Sequence, residues 1–286
     1  MKTHLDCLKC FIQQTLDAVR LATPDERIQI QVIRDVLSEA SKMNLKSSPP
    51  MMGQHIHRII RRITGCEDPY KVLKDRSNNF SLELYPLLKK KIEQSLPQQK
   101  FETAVRISIA GNIIDSAVNS HLNRKLISDA LEQSLSHPLL GDLKRFSNAI
   151  NAAKKILYLG DNAGEIVFDR LFIERLPIYK ITFVVRGRPI LNDATMEDAV
   201  GTGMTTLAEV IDNGSDAPGT IIKECSKKFK RYFSDADLVI AKGQGNYETL
   251  SDANKNIFFL LKAKCPVIAE HIGCDIGSLV VRDNCK

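Results

Sequence analysis

The hydrophobic residues of this chain change their spacing at about residue 150, and this change constrains the fold more than any other feature. Before that point apolar residues recur at helical spacing, as in "IQIQVIRDVLSEA" and "VLKDRSNNFSLELYPLLKKKIEQSL". From Lys154 onward, short β-rich runs alternate with loops and amphipathic helices. The runs that we interpret as strands are "KKILYLG", "YKITFVVRG", "ADLVIAKG" and "CPVIAEHIG".

This alternation predicts an α/β fold with a mostly parallel sheet and helices on its faces. We expect an all-helical domain over residues 1–150 and an α/β domain that carries the ligand site over residues 151–286. The chain has no internal repeat and no low-complexity linker, so the two halves should pack directly against each other. A cleft between them is a natural place for a ligand.

Composition and charge bound the class of protein. With 286 residues, 43% of them hydrophobic, the chain is long enough to bury a sizeable core. No apolar stretch is long enough to cross a bilayer, and the start "MKTHLDCLKC" lacks the apolar core of a secretory signal, so we expect a soluble cytoplasmic protein. Seven cysteines are an odd number for a disulfide framework, which favours free thiols. The net charge of +6 favours anionic ligands in general but is weak evidence for nucleic acid, and we interpret the basic residues Arg58, Arg61 and Arg62 as a solvated helix face.

Polar residues follow three of the predicted strands, at the edge of a parallel sheet where ligands bind. Asp161 and Asn162 follow the first strand, and Asp193 lies in the loop after the second. Their oxygens form a partial shell for a hard divalent cation such as Mg²⁺ or Mn²⁺, and no His or Cys stands beside them to favour zinc. Arg186, at the end of the second strand, and Lys242, at the end of the third, supply the positive charge that a transferring phosphoryl group needs.

Each of these motifs also has a purely structural interpretation. "DNAG" is compatible with a turn, Asp193 with a cap on the helix "ATMEDAV", and Lys242-Gly243 with a glycine-rich turn. Their joint occurrence at strand ends favours one site over three unrelated turns. "GDNAGE" does not match G-x-G-x-x-G, and its carboxylate would repel a pyrophosphate; the chain also has no Walker A motif.

Four motifs, "GDNAGEIVFD", "LNDAT", "NGSDAPGT" and "KGQGNYETL", occur in this order along the chain. Together they resemble the metal-dependent damage-control phosphatases, a family long known only as a domain of unknown function. The resemblance extends over nearly the whole chain, because "DPYKVLKDRSN" and "AGNIIDSAV" match pieces of the helical region. It implies a helical N-terminal region joined to a Rossmann-like α/β domain that binds a divalent metal, one of Mg²⁺, Mn²⁺, Co²⁺ and Ni²⁺.

The resemblance also implies roles for individual residues. It assigns the metal to Asp161, Asn162 and Asp193. The residues that it places around the substrate are Lys242, Asn246 and Tyr247 in "KGQGNYE", Lys264 in "KAKCP" before the last predicted strand, and Asn112 and Asp115 from the helical half. For this last pair, a buried network between packed helices is an equally good interpretation.

The start "HLDCLKC" resembles the branch of this family that has a cysteine pair near its N-terminus. Cys7 and Cys10 are three residues apart, so on a helix they share a face, and His4 lies one step further back on it. With a further ligand from Cys66 or from another chain, the pair would form a second, structural metal site; without one, the two residues are packed thiols.

The resulting hypothesis is a phosphatase that hydrolyses phosphate monoesters of small metabolites, such as sugar phosphates or damaged relatives of them. Lys242 and Arg186 would balance charge in the transition state, beside the metal held by the Asp-Asn-Asp set. The attacking group is either a metal-bound water or Asp161 itself. Glu165 either orients the attacking group or occupies the first turn of its helix, where the dipole favours a carboxylate.

Two other functions compete with this hypothesis. One is S-adenosylmethionine-dependent methylation of carboxyl groups, an activity proposed within the wider family, and metal dependence would separate it from phosphatase chemistry. The other is non-catalytic binding of a metabolite or nucleotide, which ligand-induced stabilisation without turnover would support. The expected partner is a small phosphorylated metabolite rather than a membrane or nucleic acid, and a homo-oligomer is compatible with the sequence.

Overall fold

The structure is a computed structural model, and it describes residues 1–111, 132 and 136–284. Five helices precede residue 112: α1 (Cys7–Ala22), α2 (Glu26–Lys42), α3 (Pro49–Thr64), α4 (Lys71–Gln94) and α5 (Lys100–Ala110), with a 3-10 turn at Pro97–Gln99. The helical prediction for these segments is confirmed. The predicted helix "LISDALEQSL" lies outside the described residues apart from Glu132.

Helices α1, α2 and α3 pack around a small apolar core of their own. Val32 and Val36 of α2 belong to one buried cluster with Ile56 and Ile60 of α3, because residues four apart lie on the same helix face. Helices α4 and α5 pack instead against a helix of the α/β half, so the core of the sheet continues into the helical half. The division at residue 150 therefore stays a prediction. Among the described helices, none is both long and apolar enough to span a membrane.

The described residues after 135 form a seven-stranded sheet with helices on its faces. Its strands are β1 (Leu139–Leu140), β2 (Ile156–Leu159), β3 (Ile181–Val185), β4 (Glu209–Asp212), β5 (Leu238–Lys242), β6 (Ile257–Lys262) and β7 (Leu279–Asp283), in the order β1-β7-β6-β5-β2-β3-β4. Only the β6–β7 pair is antiparallel, so the prediction of a mostly parallel sheet is confirmed. The helices are α6 (Leu143–Ala152), α7 (Glu165–Ile173), α8 (Met196–Gly201), α9 (Met204–Leu207), α10 (Lys227–Asp235), α11 (Gly243–Leu250) and α12 (Pro266–Ile272), with 3-10 turns at Ile178–Lys180 and Ile222–Glu224.

The segment "CPVIAEHIG" is a helix, α12, and not the predicted strand. Pro266 suits the first helical position because its φ is fixed, and Gly273 ends the helix with a φ of +80°. A short apolar run does not by itself distinguish a buried strand from a helix, which is why the prediction was wrong. The all-helical prediction for the first 150 residues also misses β1, which pairs with β7.

The strand order places the ligand edge of the sheet. From β2 the chain moves to β3 and β4 on one side, and then returns to β5 and β6 on the other. Strands β2 and β5 are neighbours at this reversal, and ligands in open α/β sheets bind at the carboxyl ends of such a strand pair. Asp161 follows β2 and Lys242 ends β5, so both residues stand at this position.

Candidate active site

The three residues predicted to bind metal lie together at the carboxyl end of β2. Asn162 and Asp193 form an isolated antiparallel bridge, and the amide of Ala194 donates to the carbonyl of Asp161 at 2.8 Å. Asp161, Asn162 and Asp193 are 9%, 6% and 3% exposed. The sequence therefore brings two carboxylates and one amide into a single buried cluster, although their loops are about thirty residues apart.

Arg186 lies between the two carboxylates. Its Nε donates to Asp193 Oδ2 at 2.6 Å, and its Nη2 is 3.5 Å from Asp161 Oδ1. Nη2 is buried and makes no hydrogen bond to a described residue. Arg186 was predicted to balance phosphoryl charge, and the structure places this guanidinium within the carboxylate cluster.

The cluster fits a divalent cation. Burial, followed by the neighbouring carboxylate of Asp193, raises the pKa of Asp161 to about 7, so a nearby positive charge would stabilise its ionised form. All the donors of the cluster are oxygens, which suits hard cations rather than zinc. Asp161, Asn162 and Asp193 are therefore the residues of this cluster that would hold a divalent cation.

Gly243, the first residue of α11, makes room for the Asp161 carboxylate. A Cβ at this position would lie 2.0 Å from Asp161 Oδ2, and the φ of Gly243 is +78°. Both the contact and the backbone conformation require glycine here. Lys242-Gly243 is therefore the junction between β5 and a helix that closes against the carboxylate, and not an isolated turn.

Lys242 points away from solvent into a buried polar network. Its Nζ donates to Asp169 Oδ1 at 2.6 Å, to Glu165 Oε1 at 2.7 Å and to the carbonyl of Ser108 at 2.9 Å. An ammonium group has three donors, so this set satisfies all of them. The side chain is fully buried, and in this arrangement it holds Glu165 instead of facing a phosphate.

Glu165 joins this buried network to the carboxylate cluster. The amide of Asn162 donates to Glu165 Oε2 and to Asp161 Oδ2, both at 3.3 Å. Burial, which the Lys242 ammonium opposes, raises the pKa of Glu165 to about 7. Glu165 is also the first residue of α7, so its position at the helix terminus and its contact with the cluster occur together.

Asp169 was not predicted from the sequence. It lies four residues after Glu165 on α7, so the two carboxylates share a helix face, and this spacing was the available signal. Besides Lys242, the hydroxyls of Ser108 and Tyr158 donate to Asp169 Oδ1 at 2.7 and 2.8 Å. The network is therefore built from α5, β2, α7 and β5.

Helix α4 supports both ligand loops through Asn78. The amide of Gly164 donates to Asn78 Oδ1 at 2.7 Å, and Asn78 Nδ2 donates to Asp198 Oδ1 at 2.8 Å. Asp198 forms a capping box with Thr195 at the start of α8, so Thr195, and not Asp193, caps that helix. Asn78 was not predicted as a site residue, although it ends the motif "DPYKVLKDRSN".

The remaining predicted residues of "KGQGNYE" separate into two environments. Asn246 is buried at the site, where its Oδ1 accepts from Thr220 Oγ1 at 2.8 Å and from Arg186 Nη1 at 3.4 Å. Tyr247 instead packs against Phe259 in the core, and its hydroxyl is 2.8 Å from His271 Nδ1. The structure therefore does not bring Tyr247 to the carboxylate cluster.

Lys264 lies between β6 and α12, because the strand predicted after it is a helix. Its side chain is exposed, and its charge contributes to lowering the pKa of Asp161, against the larger effects of burial and Asp193. This lysine is thus a solvent-facing cation near the cluster. Asn112 and Asp115 lie outside the described residues.

The cysteine pair occupies the first turn of α1. Cys7 is half-buried, Cys10 is exposed, and both are free thiols. His4 engages Asp6, with 3.2 Å between Nδ1 and Oδ2. No group of three or more His, Cys, Asp or Glu side chains in the described ranges is arranged to hold a metal, so a structural metal site at this pair stays a prediction.

The sequence suggested that the basic face of α3 is solvated, but in the structure two of its three arginines form ion pairs with another part of the chain. Arg58 and Arg61 both form ion pairs with Asp216 in the loop "NGSDAPGT", and Gln54 donates to the same carboxylate at 2.7 Å. Burial opposes ionisation, but the hydrogen bonds from Arg58 and Gln54 lower the pKa of Asp216 to about 2. Arg62 is the exposed member and pairs with Asp35. The interaction ties the helical half to a loop of the sheet.

Comparisons with known proteins agree with this architecture. A family model described as the damage-control phosphatase ARMT1-like domain matches residues 3–280. An uncharacterized protein of Methanocaldococcus jannaschii is 40% identical over 98% of this chain and 95% of its own length. Proteins named damage-control phosphatase from Archaeoglobus fulgidus and Pyrococcus horikoshii are 37% and 34% identical, and each comparison covers 99% of both chains.

The fold has been observed in a crystal. The crystal structure of a DUF89 family protein from Pyrococcus horikoshii matches with a TM-score of 0.91 and 33% sequence identity, covering 100% of both chains. The family model and the curated relatives each span nearly the whole sequence. This chain therefore belongs to the damage-control phosphatase ARMT1-like family.

Proposed function

We propose that this protein is a metal-dependent phosphatase that hydrolyses phosphate monoesters of small metabolites, such as sugar phosphates or damaged relatives of them. The observation that carries the proposal is the buried set of Asp161, Asn162 and Asp193 around the guanidinium of Arg186. The names of two relatives, both called damage-control phosphatase, support the reaction class. A small phosphorylated metabolite as partner and a cytoplasmic location are parts of the same proposal.

Asp161, Asn162 and Asp193 would hold the divalent cation, which is Mg²⁺, Mn²⁺, Co²⁺ or Ni²⁺ in this proposal. When bound, it supplies a Lewis acid that polarises the phosphoryl group. The oxygen-only donor set supports a hard cation. Asn162 also connects this set to Glu165, so the metal residues and the buried network would respond together to a change in either.

In this proposal, Arg186 and Lys264 balance the charge of a phosphoryl group. Arg186 Nη2 is buried, makes no hydrogen bond to a described residue and lies 3.5 Å from Asp161 Oδ1, so it would donate to a phosphoryl oxygen beside that carboxylate. Lys264 is exposed and close enough to affect Asp161 electrostatically. Fixed positive charge in a site that excludes water stabilises a developing anion more than it would in solvent.

We assign Lys242 a positioning role in place of the predicted contact with substrate. Its three hydrogen bonds fix Glu165 toward Asn162 and Asp161. Glu165 would then orient a water, or support attack by the Asp161 carboxylate, and the same geometry serves both. Removal of Lys242 would therefore lower turnover more than substrate binding.

The test is phosphate release by metal-stripped protein titrated separately with Mg²⁺, Mn²⁺, Co²⁺ and Ni²⁺, with p-nitrophenyl phosphate and a panel of sugar phosphates as substrates. Turnover should require metal and should be lost in Asp161→Asn. Asp275→Asn, a change of an exposed carboxylate elsewhere, is the matched control and should keep full activity. Turnover that persists without metal, or in Asp161→Asn, would contradict the proposal, and methyl transfer without phosphate release would favour the methyltransferase alternative.

A further inference from the structure

A cavity lies at the opposite edge of the sheet from the candidate active site. It has a volume of about 1230 Å³, and its lining includes the first residues of β2, β3 and β4, which are Ile156, Ile181 and Glu209. Helix α10 forms one wall. Because Asp161 and Lys242 stand at the carboxyl ends of parallel strands, the sheet itself separates the two sites. We call this cavity the basic groove.

The lining of the basic groove is strongly cationic. Its six basic residues are Lys154, Lys155, Lys180, Lys227, Lys228 and Arg231, and its two acidic residues are Glu209 and Asp235. The basic residues come from three separate parts of the chain: the segment before β2, the turn before β3 and helix α10. The net charge of +6 for the whole chain gave weak evidence for an anionic polymer, but the fold concentrates most of that excess in one place.

The two carboxylates of the groove do not neutralise its cations. Glu209 accepts hydrogen bonds from Thr182 Oγ1 at 2.9 Å and from Tyr232 at 2.7 Å. Asp235 makes only a long contact, 4.0 Å, with Lys155. Within the described part of the chain, five cations of the groove have no carboxylate at ion-pair distance: Lys154, Lys180, Lys227, Lys228 and Arg231.

The size of the groove suits a ligand larger than an ordinary small metabolite. Its volume exceeds the range of about 300–1,000 Å³ that is usual for small-molecule pockets. Tyr179 stands in the lining with 88% of its surface exposed, so an aromatic face is free for stacking. The apolar face of α10 is used for packing, because Phe229 and Phe233 are buried. The face that lines the groove carries three basic residues together with Tyr232 and Asp235.

We propose that the basic groove binds single-stranded nucleic acid. Proteins that bind single strands without sequence preference combine a positively charged groove along the backbone with aromatic side chains on which bases stack, and both elements are present here. A protein partner is a poorer fit, because the centres of protein interfaces are depleted of charged residues. The proposal for the basic groove does not depend on the proposed phosphatase function, so an experiment can refute one without refuting the other.

The test is fluorescence anisotropy with a fluorescein-labelled 20-nucleotide single-stranded RNA, and with DNA of the same sequence, over a series of NaCl concentrations. Wild-type protein should bind with a Kd of about 1–100 μM near physiological salt. The combined variant Lys227→Glu, Lys228→Glu, Arg231→Glu should weaken binding at least about tenfold. It should also reduce the slope of log K against log salt by about 2, since each phosphate contact on a single strand contributes about 0.7.

A matched control changes the same net charge elsewhere. Arg34→Glu, Lys46→Glu, Lys90→Glu also replaces two lysines and one arginine, all exposed and all on the helical half. This variant should keep most of the affinity and the wild-type salt slope. Equal losses in the two triple variants would show that binding depends on overall charge, which would overturn the groove assignment.

Tyr179→Ala separates a nucleic-acid site from a general anion surface. Loss of base stacking should weaken binding at least about fivefold, while Tyr179→Phe should retain it. No binding of either single strand at low salt would overturn the proposal. So would equal affinity for duplex DNA together with an unchanged Kd in Tyr179→Ala, or binding to vesicles of anionic lipid with none to RNA.

Discussion

Substitution of Gly243 by alanine is the sharpest test of the carboxylate cluster. A Cβ at this position would lie 2.0 Å from Oδ2, 2.3 Å from Cγ and 2.9 Å from Oδ1 of Asp161. Ordinary contacts begin above about 3.4 Å, so the carboxylate must move by about 1 Å or more. A misplacement of that size costs about 100-fold in rate when the displaced group takes part in the reaction.

The fold provides a control glycine with a similar positive φ. Gly273 has a φ of +80°, against +78° for Gly243, and a Cβ there meets no atom within 4 Å. Both alanine variants should lose about 1–2 kcal/mol of unfolding free energy, because a residue with a Cβ is strained at positive φ. Only Gly243→Ala should also lose metal affinity and phosphatase activity.

Three measurements on each variant distinguish these effects: the free energy of unfolding from urea denaturation, the metal dissociation constant from calorimetry, and the rate of phosphate release. The expected pattern is the strain-related loss of stability in both variants, a further loss of stability in Gly243→Ala because the Asp161 carboxylate must move, and a loss of about 100-fold in kcat/KM in Gly243→Ala alone. If the two variants retain equal metal affinity and equal activity, the Asp161 carboxylate takes no part in metal binding or in the reaction.

Three further changes have expected outcomes. Lys242→Met should lower the unfolding free energy by about 3–5 kcal/mol, since it leaves the carboxylates of Glu165 and Asp169 buried without their cation; a loss below about 1 kcal/mol in urea denaturation would contradict this. Asn78→Ala should weaken metal binding by about 10- to 100-fold in calorimetry, because Asn78 accepts from Gly164 beside the ligand residues, and unchanged affinity would exclude that role. Burial and then the charge of Arg61 lower the pKa of His57 to about 3 in the folded protein. As the pH falls, His57 is therefore protonated in the unfolded chain before it is protonated in the folded one. The free energy of unfolding should therefore decrease from about pH 6.5 toward pH 3. Measured at pH 6.5 and at pH 4.5, it should decrease less in a His57→Gln variant than in the wild-type protein.

Much of the fold followed from the sequence because hydrophobic spacing reports locally on which face of an element is buried. The change of spacing near residue 150 predicted the parallel sheet, and strands β2, β3 and β5 agree with it. The prediction of a strand for "CPVIAEHIG" was wrong for a local reason, since its few apolar residues fit a strand and a helix equally well. The strand-end residues Asp161, Asn162 and Asp193 were predicted to lie together because parallel strands end at one edge, and they do.

From the sequence alone, the fold class and the sheet edge of the candidate site could be predicted, but strands β1, β4, β6 and β7 were not. Only the tertiary structure decided the partners of the polar groups: Lys242 holds Glu165, Asp169 and the carbonyl of Ser108, and the last of these lies 134 residues away in the chain. The same holds for the basic groove, whose cations come from three separate segments. The physical reason is that an apolar face is specified by the spacing of its own residues, whereas a charge is specified by whatever the packing of distant segments places beside it.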